Sequence, residues 1–173
     1  MEENQNPAPS IMSISLKYGL ILALVSIATF ALKVALGKNP FESDWTGWVS
    51  LLIGIGIVVL AHNNFKNDGD GFMSYGQGFA IAALATLISG IIGLVFNLFY
   101  INFIDTNVMD DLYRITEEKM QEQGRSDQEI QIAIEWTKKL FWVIYVVMMC
   151  IISVLYGLVV PIFTQKKNPE PAI

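Results

Sequence analysis

The sequence predicts an all-α polytopic membrane protein, a four-helix bundle with an extramembrane helical hairpin between its third and fourth spans. Of its 173 residues, 53% are apolar and 16% are charged, whereas about 25% of the residues in soluble proteins are charged. Residues 78–104 contain no charged side chain and exceed the roughly 20 residues that an apolar helix needs to cross a bilayer. Four apolar segments occupy more than half of the chain, so we expect one membrane domain over residues 1–173.

The expected spans are about residues 14–36, 46–61, 77–104 and 136–163, and the expected hairpin is residues 106–135. The first span should end at Gly37, because glycine readily closes a helix and Asn39-Pro40 prevents its continuation. Trp45 and Trp48 then stand where an interfacial aromatic belt would anchor the second span. This short connection makes the first two spans antiparallel neighbours.

Lys33 is the only cation set within an apolar segment, near the end of the first span. Lysines inside a membrane are costly and often belong to a functional site. Lys33 precedes Gly37 by only a few residues, however, and its long stem can carry the ammonium to the headgroup region. We therefore expect Lys33 to reach the membrane surface and to have no role in a site.

His62, the only histidine, opens the connection between the second and third spans, which contains an Asn-Asp-Gly-Asp-Gly sequence typical of a turn in water. Catalysis or metal binding by His62 would require partners. Asp68 and Asp70 lie nearby in the sequence, but no glutamate completes a calcium loop. We expect His62 at the membrane interface and no metal site.

The third span has one face of small and polar residues and an opposite face of large apolar ones. Lipid tails are as apolar as leucine, so helices associate in membranes through close packing of small residues and interhelical hydrogen bonds. The small face is therefore expected to point into the bundle, where Ser26 of the first span and Ser153 of the fourth would extend it. This helix-packing face, or polar seam, comprises Gly78, Ala82, Thr86, Ser89, Gly93, Asn97, Ser26 and Ser153. Such residues serve as hydrogen-bonding contacts more often than as a pathway.

The only strongly charged segment follows the third span. Val108, Leu112 and Ile115 recur at helical spacing with acids between them, which predicts an amphipathic helix from about residue 106 to 123, ended by Gly124. A capping box starts the next helix, with Ser126 followed three residues later by Glu129. That helix can continue to about residue 163. At roughly 55 Å it is longer than about 30 Å of hydrocarbon, so it should project beyond the bilayer.

No catalytic residue, cofactor site or metal site is indicated. The apolar segments contain no carboxylate and the chain has no pair of histidines, so the sequence does not favour an enzyme. Cys150 lies alone in an apolar run and is expected to be an unreactive core residue. The net charge of −5 argues against binding of nucleic acid.

The sequence FMSYGQGF, a span rich in glycine and alanine, and then NLFYINFID with an acidic helical segment resemble the family called domain of unknown function 4199. The resemblance covers nearly the whole chain and is most specific over residues 65–105. It implies a small four-span inner-membrane protein of Bacteroidetes-type bacteria. It implies no activity, and no catalytic role is carried over to any residue.

Two hypotheses for function remain open. The first is a structural or accessory subunit that binds another membrane protein or a lipid carrier, because this requires only surfaces, such as the small-residue face and the acidic hairpin. The alternative is a small-solute transporter or channel, which would need a homo-oligomer because four helices enclose little volume. The expected partners are thus membrane lipids and a membrane protein or further copies of the chain.

The expected location is the inner (plasma) membrane of a bacterium, with both termini cytoplasmic. The basic residues do not decide the orientation by number. Lys17 and Lys166-Lys167 lie on the side with fewer acids, which favours that side as the cytoplasmic one.

Overall fold

The computed structural model describes residues 10–168, which form five helices and no strand. The helices are α1 (Ile11–Ala35), α2 (Thr46–Asp68), α3 (Tyr75–Phe103), α4 (Val108–Glu122) and α5 (Asp127–Thr164). Of these, α1, α2, α3 and α5 are long and apolar enough to cross a membrane. The predicted fold class is confirmed, and the chain is a multi-pass membrane protein.

Helix α3 lies at the centre of the bundle, with its most extensive contacts to α1 and α5. Helix α2 makes smaller contacts with α1, α3 and α5. The close packing of α3 follows from small residues, since a side chain on Gly19 of α1 would come within 2.9 Å of the Ala85 carbonyl oxygen. On the other side, a side chain on Gly157 of α5 would come within 2.9 Å of the Phe79 ring. Small residues thus bring both neighbouring helices close to α3, as expected for helix association in a membrane.

The helix ends follow the local sequence. Gly37 and Gly124 adopt the left-handed conformation, with φ of 71° and 72°, after α1 and α4. In each case the residue after the glycine donates to a carbonyl five residues back, as Arg125 does to Met120 at 3.1 Å. The Ser126 side chain and Glu129 form the predicted capping box of α5. These predicted boundaries are confirmed.

A second capping box, between Ser74 and Gln77, starts α3. It lies within FMSYGQGF, in the segment that the sequence analysis assigned to a turn. Met73, just before it, exchanges two backbone hydrogen bonds of 2.9 Å with Lys166. The entry to α3 is thereby joined to the segment that follows α5.

Helix α2 is longer than the sequence predicted. The expected span stopped near residue 61, whereas α2 continues to Asp68. The reason is that His62 and Phe65 are buried inside the bundle, where Phe65 packs with Ile14 and Ile81. Polar neighbours in the sequence suggested a loop, but tertiary packing of two side chains extends the helix by nearly two turns.

The bundle has two ends. The hairpin end comprises residues 36–45, α4 and the first turns of α5. Helix α4 contacts α5 there, and Val108, Leu112 and Ile130 are buried. The terminal end comprises Ser10, residues 69–74 and residues 165–168. The hairpin end is tied together by two contacts, from Asn39 to the Val108 carbonyl at 2.7 Å and from Lys119 to Glu42 at 2.6 Å.

The close approach of α1 and α3 predicts the effect of a single methyl group. Gly19→Ala should lower the melting temperature in detergent by the equivalent of about 1–3 kcal/mol, because the Ala85 carbonyl is backbone and cannot turn away. Gly56→Ala is the matched control, since nothing lies within 4 Å of a Cβ at that position. Equal melting temperatures for the two variants would contradict the close contact.

Candidate functional site

A lateral cavity of about 960 Å³ lies between α1, α2, α3 and α5, in the half of the bundle nearer the hairpin end. Its walls are mostly apolar, with Phe30 of α1, Leu51 of α2, Phe96 of α3 and Met148 of α5. Residues 40–44, which connect α1 and α2, line it near its mouth. Pockets that hold small molecules have volumes of about 300–1,000 Å³, so the cavity has the size of a ligand site.

The cavity exists because only part of α2 packs into the bundle. The buried residues of α2 begin at Gly54 and continue to Phe65, and none of residues 46–53 is buried. The Tyr156 hydroxyl of α5 lies over Gly54 and donates a 2.9 Å hydrogen bond to the Leu51 carbonyl. Nearer the hairpin end, the first turns of α2 leave the space that forms the cavity.

The cavity ends blindly toward the terminal end. A core of Leu22, Ile57, Val58, Ala82, Ala85 and Val160 fills the centre of the bundle beneath it. Beyond that core lies His62, which is fully buried between helices at the terminal end of the bundle. Its Nδ1 lies 2.7 Å from the Thr164 hydroxyl and its Nε2 lies 3.0 Å from the Gly78 carbonyl. His62 therefore joins three helices at the terminal end and does not contact the cavity.

At the other end of the cavity, Lys33 is buried against the connection between α1 and α2. It is 8% exposed, and its Nζ lies 2.5 Å from the Glu42 carbonyl, 3.3 Å from the Pro40 carbonyl and 3.4 Å from an Asp44 carboxylate oxygen. The chain after Gly37 turns back over the ammonium. The first span's own connection therefore supplies the acceptors that headgroups were expected to supply.

Asp44 is the charge partner in this cluster and lies outside the membrane-spanning helices. Hydrogen bonds from Thr46, with a further contribution from Lys38 and the charge of Lys33, lower the pKa of the Asp44 carboxyl from 3.8 to about 2. Lys38 lies 3.3 Å from the second carboxylate oxygen. Asp44 is thus ionised at any physiological pH and fully engaged by its neighbours.

The predicted polar seam falls into two groups. Six of its residues line the cavity: Ser26, Thr86, Ser89, Gly93, Asn97 and Ser153. The other two, Gly78 and Ala82, are buried in the packed half, where a Cβ on Gly78 would lie 3.0 Å from Pro161. Ser26 is exposed to the cavity and makes no interhelical hydrogen bond among the described residues.

Tyr145 is a cavity residue that the sequence analysis missed. Its hydroxyl accepts a 3.1 Å hydrogen bond from the Asn97 side-chain amide and lies opposite Gly93, whose Cβ position is 3.7 Å away. The signal was present, because Tyr145 continues the spacing of four residues through Met149, Ser153 and Gly157.

Within residues 10–168, no three His, Cys, Asp or Glu side chains are placed to hold a metal ion. Cys150 is exposed on the outside of α5, so its expected place in the core was wrong. The inward face of α5 in this region is narrow and carries Ser153 and Gly157, and Cys150 lies off that face.

The model of a family described as "Protein of unknown function (DUF4199)" matches residues 17–164. This match confirms the resemblance drawn from the sequence and covers three spanning helices completely and α1 from residue 17 onward. No curated protein and no solved structure matches the chain.

The Asp44 cluster predicts a pH dependence of stability. Because the pKa of Asp44 in the folded protein is about 2, below its ordinary 3.8, the carboxylate stabilises the fold above about pH 4 and this contribution is lost as the pH falls toward 2. Asp44→Asn should therefore melt below wild type at pH 6, with the difference shrinking toward pH 2. Glu122→Gln, on the exposed surface of α4, is the control. A difference that is constant across this range would contradict the assignment.

Proposed function

We propose a function for this chain, which belongs to the DUF4199 family of proteins of unknown function: it is a non-enzymatic accessory membrane protein that binds a lipid or lipid-like carrier in its lateral cavity. The observation that supports this proposal is the cavity itself, which reaches from the hairpin end into the middle of the bundle and stops there. A through-path is not required for binding, and a blind cavity suits a bound molecule.

The lining matches an amphipathic ligand. Along its depth the cavity is walled by Leu22, Phe30, Met148 and Ile152, which suit a hydrocarbon chain. Its polar groups, including Asn97, are most frequent toward the hairpin end. One end of the ligand would thus be apolar and the other polar, as in a membrane lipid.

Access from the bilayer supports the same proposal. Leu51 of α2 and Ile144, Met148 and Ile152 of α5 line the cavity and are also exposed. In a membrane these side chains face lipid tails, so a lipid can enter sideways between α2 and α5 without leaving the hydrocarbon. No unsatisfied polar group would have to cross the membrane core.

Transport of a small solute by an oligomer is the second candidate. It is favoured by the hydroxyls of Ser26, Thr86 and Ser89 along the cavity wall. The packed core around Val58 and Ala85 closes the path, so a transporter would have to open that core in each cycle.

Filling the cavity tests the proposal. Ser26→Phe places a ring into the cavity, whereas Ala28→Phe places the same ring on an exposed part of α1 that does not line it. Native mass spectrometry of the protein extracted in mild detergent should show one retained lipid per chain for wild type and Ala28→Phe, and at least a tenfold lower occupancy for Ser26→Phe.

Equal lipid retention by the two variants would overturn the proposal. Movement of a solute across liposomes by the purified wild type, blocked by Ser26→Phe, would instead support the transport function.

We also propose that the α4–α5 hairpin binds a membrane-protein partner. Residues 106–135 carry eight of the sixteen acids of the chain, and a short turn would suffice to join α3 and α5. Asn39 and Glu42 connect α4 to the segment that lines the cavity mouth. A partner bound to the hairpin would thus lie beside the polar end of the cavity.

Replacing residues 106–126 with a short glycine-serine linker should leave the spanning helices inserted but abolish recovery of the partner after mild crosslinking. A finer variant, Asp110→Lys with Glu117→Lys, reverses charge on the exposed face of α4 and should reduce recovery while keeping the fold. Asp68→Lys, exposed at the terminal end and outside the hairpin, is its control. Full recovery with the linker variant would place recognition within the membrane.

For orientation we propose a bacterial inner membrane with both termini in the cytoplasm. In a Cys150→Ser background, Gln123→Cys in the hairpin should react with an impermeant maleimide in intact spheroplasts. Asn67→Cys at the terminal end should react only after lysis. Both positions are exposed, but in the proposed orientation position 123 faces the periplasm and position 67 faces the cytoplasm. The opposite pattern would reverse the topology.

A further inference from the structure

We infer that the polar end of the cavity is a binding site for an uncharged hydroxyl group, held between the side-chain carbonyl oxygen of Asn97 and the Tyr145 hydroxyl. This inference rests on the proposed function and specifies its ligand as a neutral, hydroxyl-bearing lipid. Three observations carry it: the pairing of the charged groups, the free hydrogen-bonding atoms of Asn97 and Tyr145, and the space in front of them.

The charged groups around the cavity already have partners. The three protons of the Lys33 ammonium have three acceptors, the carbonyls of Pro40 and Glu42 and the Asp44 carboxylate. Both oxygens of Asp44 accept from its neighbours, one from Lys38 and the other from Thr46 and Lys33. The Glu42 carboxylate pairs with Lys119 at 2.6 Å.

An ionised headgroup would therefore have to break one of these pairs or enter without a counter-ion. Removing one partner of a buried ion pair leaves an uncompensated charge, which is strongly unfavourable. Among the described residues, the cavity therefore has no unpaired charge that could bind an anionic or cationic headgroup more favourably than water does. Its remaining hydrogen-bonding capacity belongs to neutral side chains.

Asn97 has that capacity. It is 8% exposed and lines the cavity, and its amide nitrogen donates to Tyr145. Among residues 10–168, no donor contacts its carbonyl oxygen. The side-chain oxygen is not buried, so it is open to the cavity and can accept a hydrogen bond from a ligand there.

Tyr145 supplies the complementary atom. Its hydroxyl oxygen accepts from Asn97, and its own proton has no acceptor among the described residues. A free acceptor and a free donor thus stand side by side on α3 and α5. A hydroxyl group is both a donor and an acceptor, so one ligand hydroxyl can satisfy both atoms at once.

The backbone near this pair leaves room for the ligand. Gly93, one turn before Asn97, has no side chain, and the nearest atom to its Cβ position is the Tyr145 oxygen at 3.7 Å. Asn97 lies six residues before the end of α3, or about 9 Å along the helix axis. The hydroxyl would bind just inside the hairpin end, with the acyl chain extending toward Ser89 and the middle of the bundle.

The test uses the full chain in phosphatidylcholine nanodiscs and a photoreactive analogue of monooleoylglycerol, a neutral lipid with free hydroxyls. Crosslinking to wild type should be saturable and should be displaced by unlabelled monooleoylglycerol at least tenfold better than by oleoyl lysophosphatidate, which has the same acyl chain and a charged phosphate. Tyr145→Phe and Asn97→Leu should each weaken binding about tenfold, the effect of one lost hydrogen bond.

Tyr145→Phe keeps the ring and hence the packing, so a loss of binding in this variant does not depend on the folding of Asn97→Leu. Tyr75→Phe is the matched control, because the Tyr75 hydroxyl donates to the Leu158 carbonyl at 2.9 Å, outside the cavity. Wild-type affinity in Tyr145→Phe, or tighter binding of lysophosphatidate than of monooleoylglycerol, would overturn the inference. Ser26→Phe separates the two proposals: if it binds the probe as wild type does, the proposed lipid-binding function fails as well.

Discussion

The close approach of α1 and α3 at Gly19 is the contact on which the arrangement of the bundle depends. With α1 on one side of α3 and α5 on the other, α2 can only pack over these three helices. It is fixed at the terminal end, where His62 and Phe65 are buried. Toward the other end, none of residues 46–53 is buried, and the space beside these first turns is the lateral cavity.

The connection between α1 and α2 forms part of the cavity lining because it supplies hydrogen-bond acceptors to the Lys33 ammonium. A membrane supplies no water to an ammonium group, so Lys33 needs acceptors from the protein. The carbonyls of Pro40 and Glu42 meet this need only if the chain folds back over Lys33, and that fold places residues 40–44 at the cavity mouth. Glu42 also binds Lys119, so the same connection joins the membrane bundle to the hairpin.

Features set by local sequence could be predicted, and features set by helix crossing could not. The helix ends at Gly37 and Gly124 and the cap at Ser126 depend on a few neighbouring residues. The spacing on α3 identified an inner face that includes Gly93 and Asn97, but spacing does not tell whether an inner residue meets another helix or a cavity. That depends on how much of α2 packs against the other helices, which depends in turn on contacts far apart in the sequence.

The same limit explains why the surroundings of three single residues were not predicted. Lys33, His62 and Cys150 were each placed from their position in an apolar or polar stretch, by the general behaviour of their residue type. Lys33 and His62 proved to be buried because partners from other segments satisfy them. Cys150 proved to be exposed because α5 buries only a narrow strip, at Ser153, Gly157, Val160 and Pro161, within the bundle.

The length of α5 has a mechanical consequence. Its 38 residues form one helix of about 57 Å that both lines the cavity and carries the second half of the hairpin. For a straight helix of this length, a change of about 5° in tilt displaces one end by about 5 Å relative to the other. A change in the tilt of α5 that accompanies ligand binding in the lateral cavity would therefore also move the hairpin outside the bilayer. Conversely, a partner that displaces the hairpin would change the shape of the cavity.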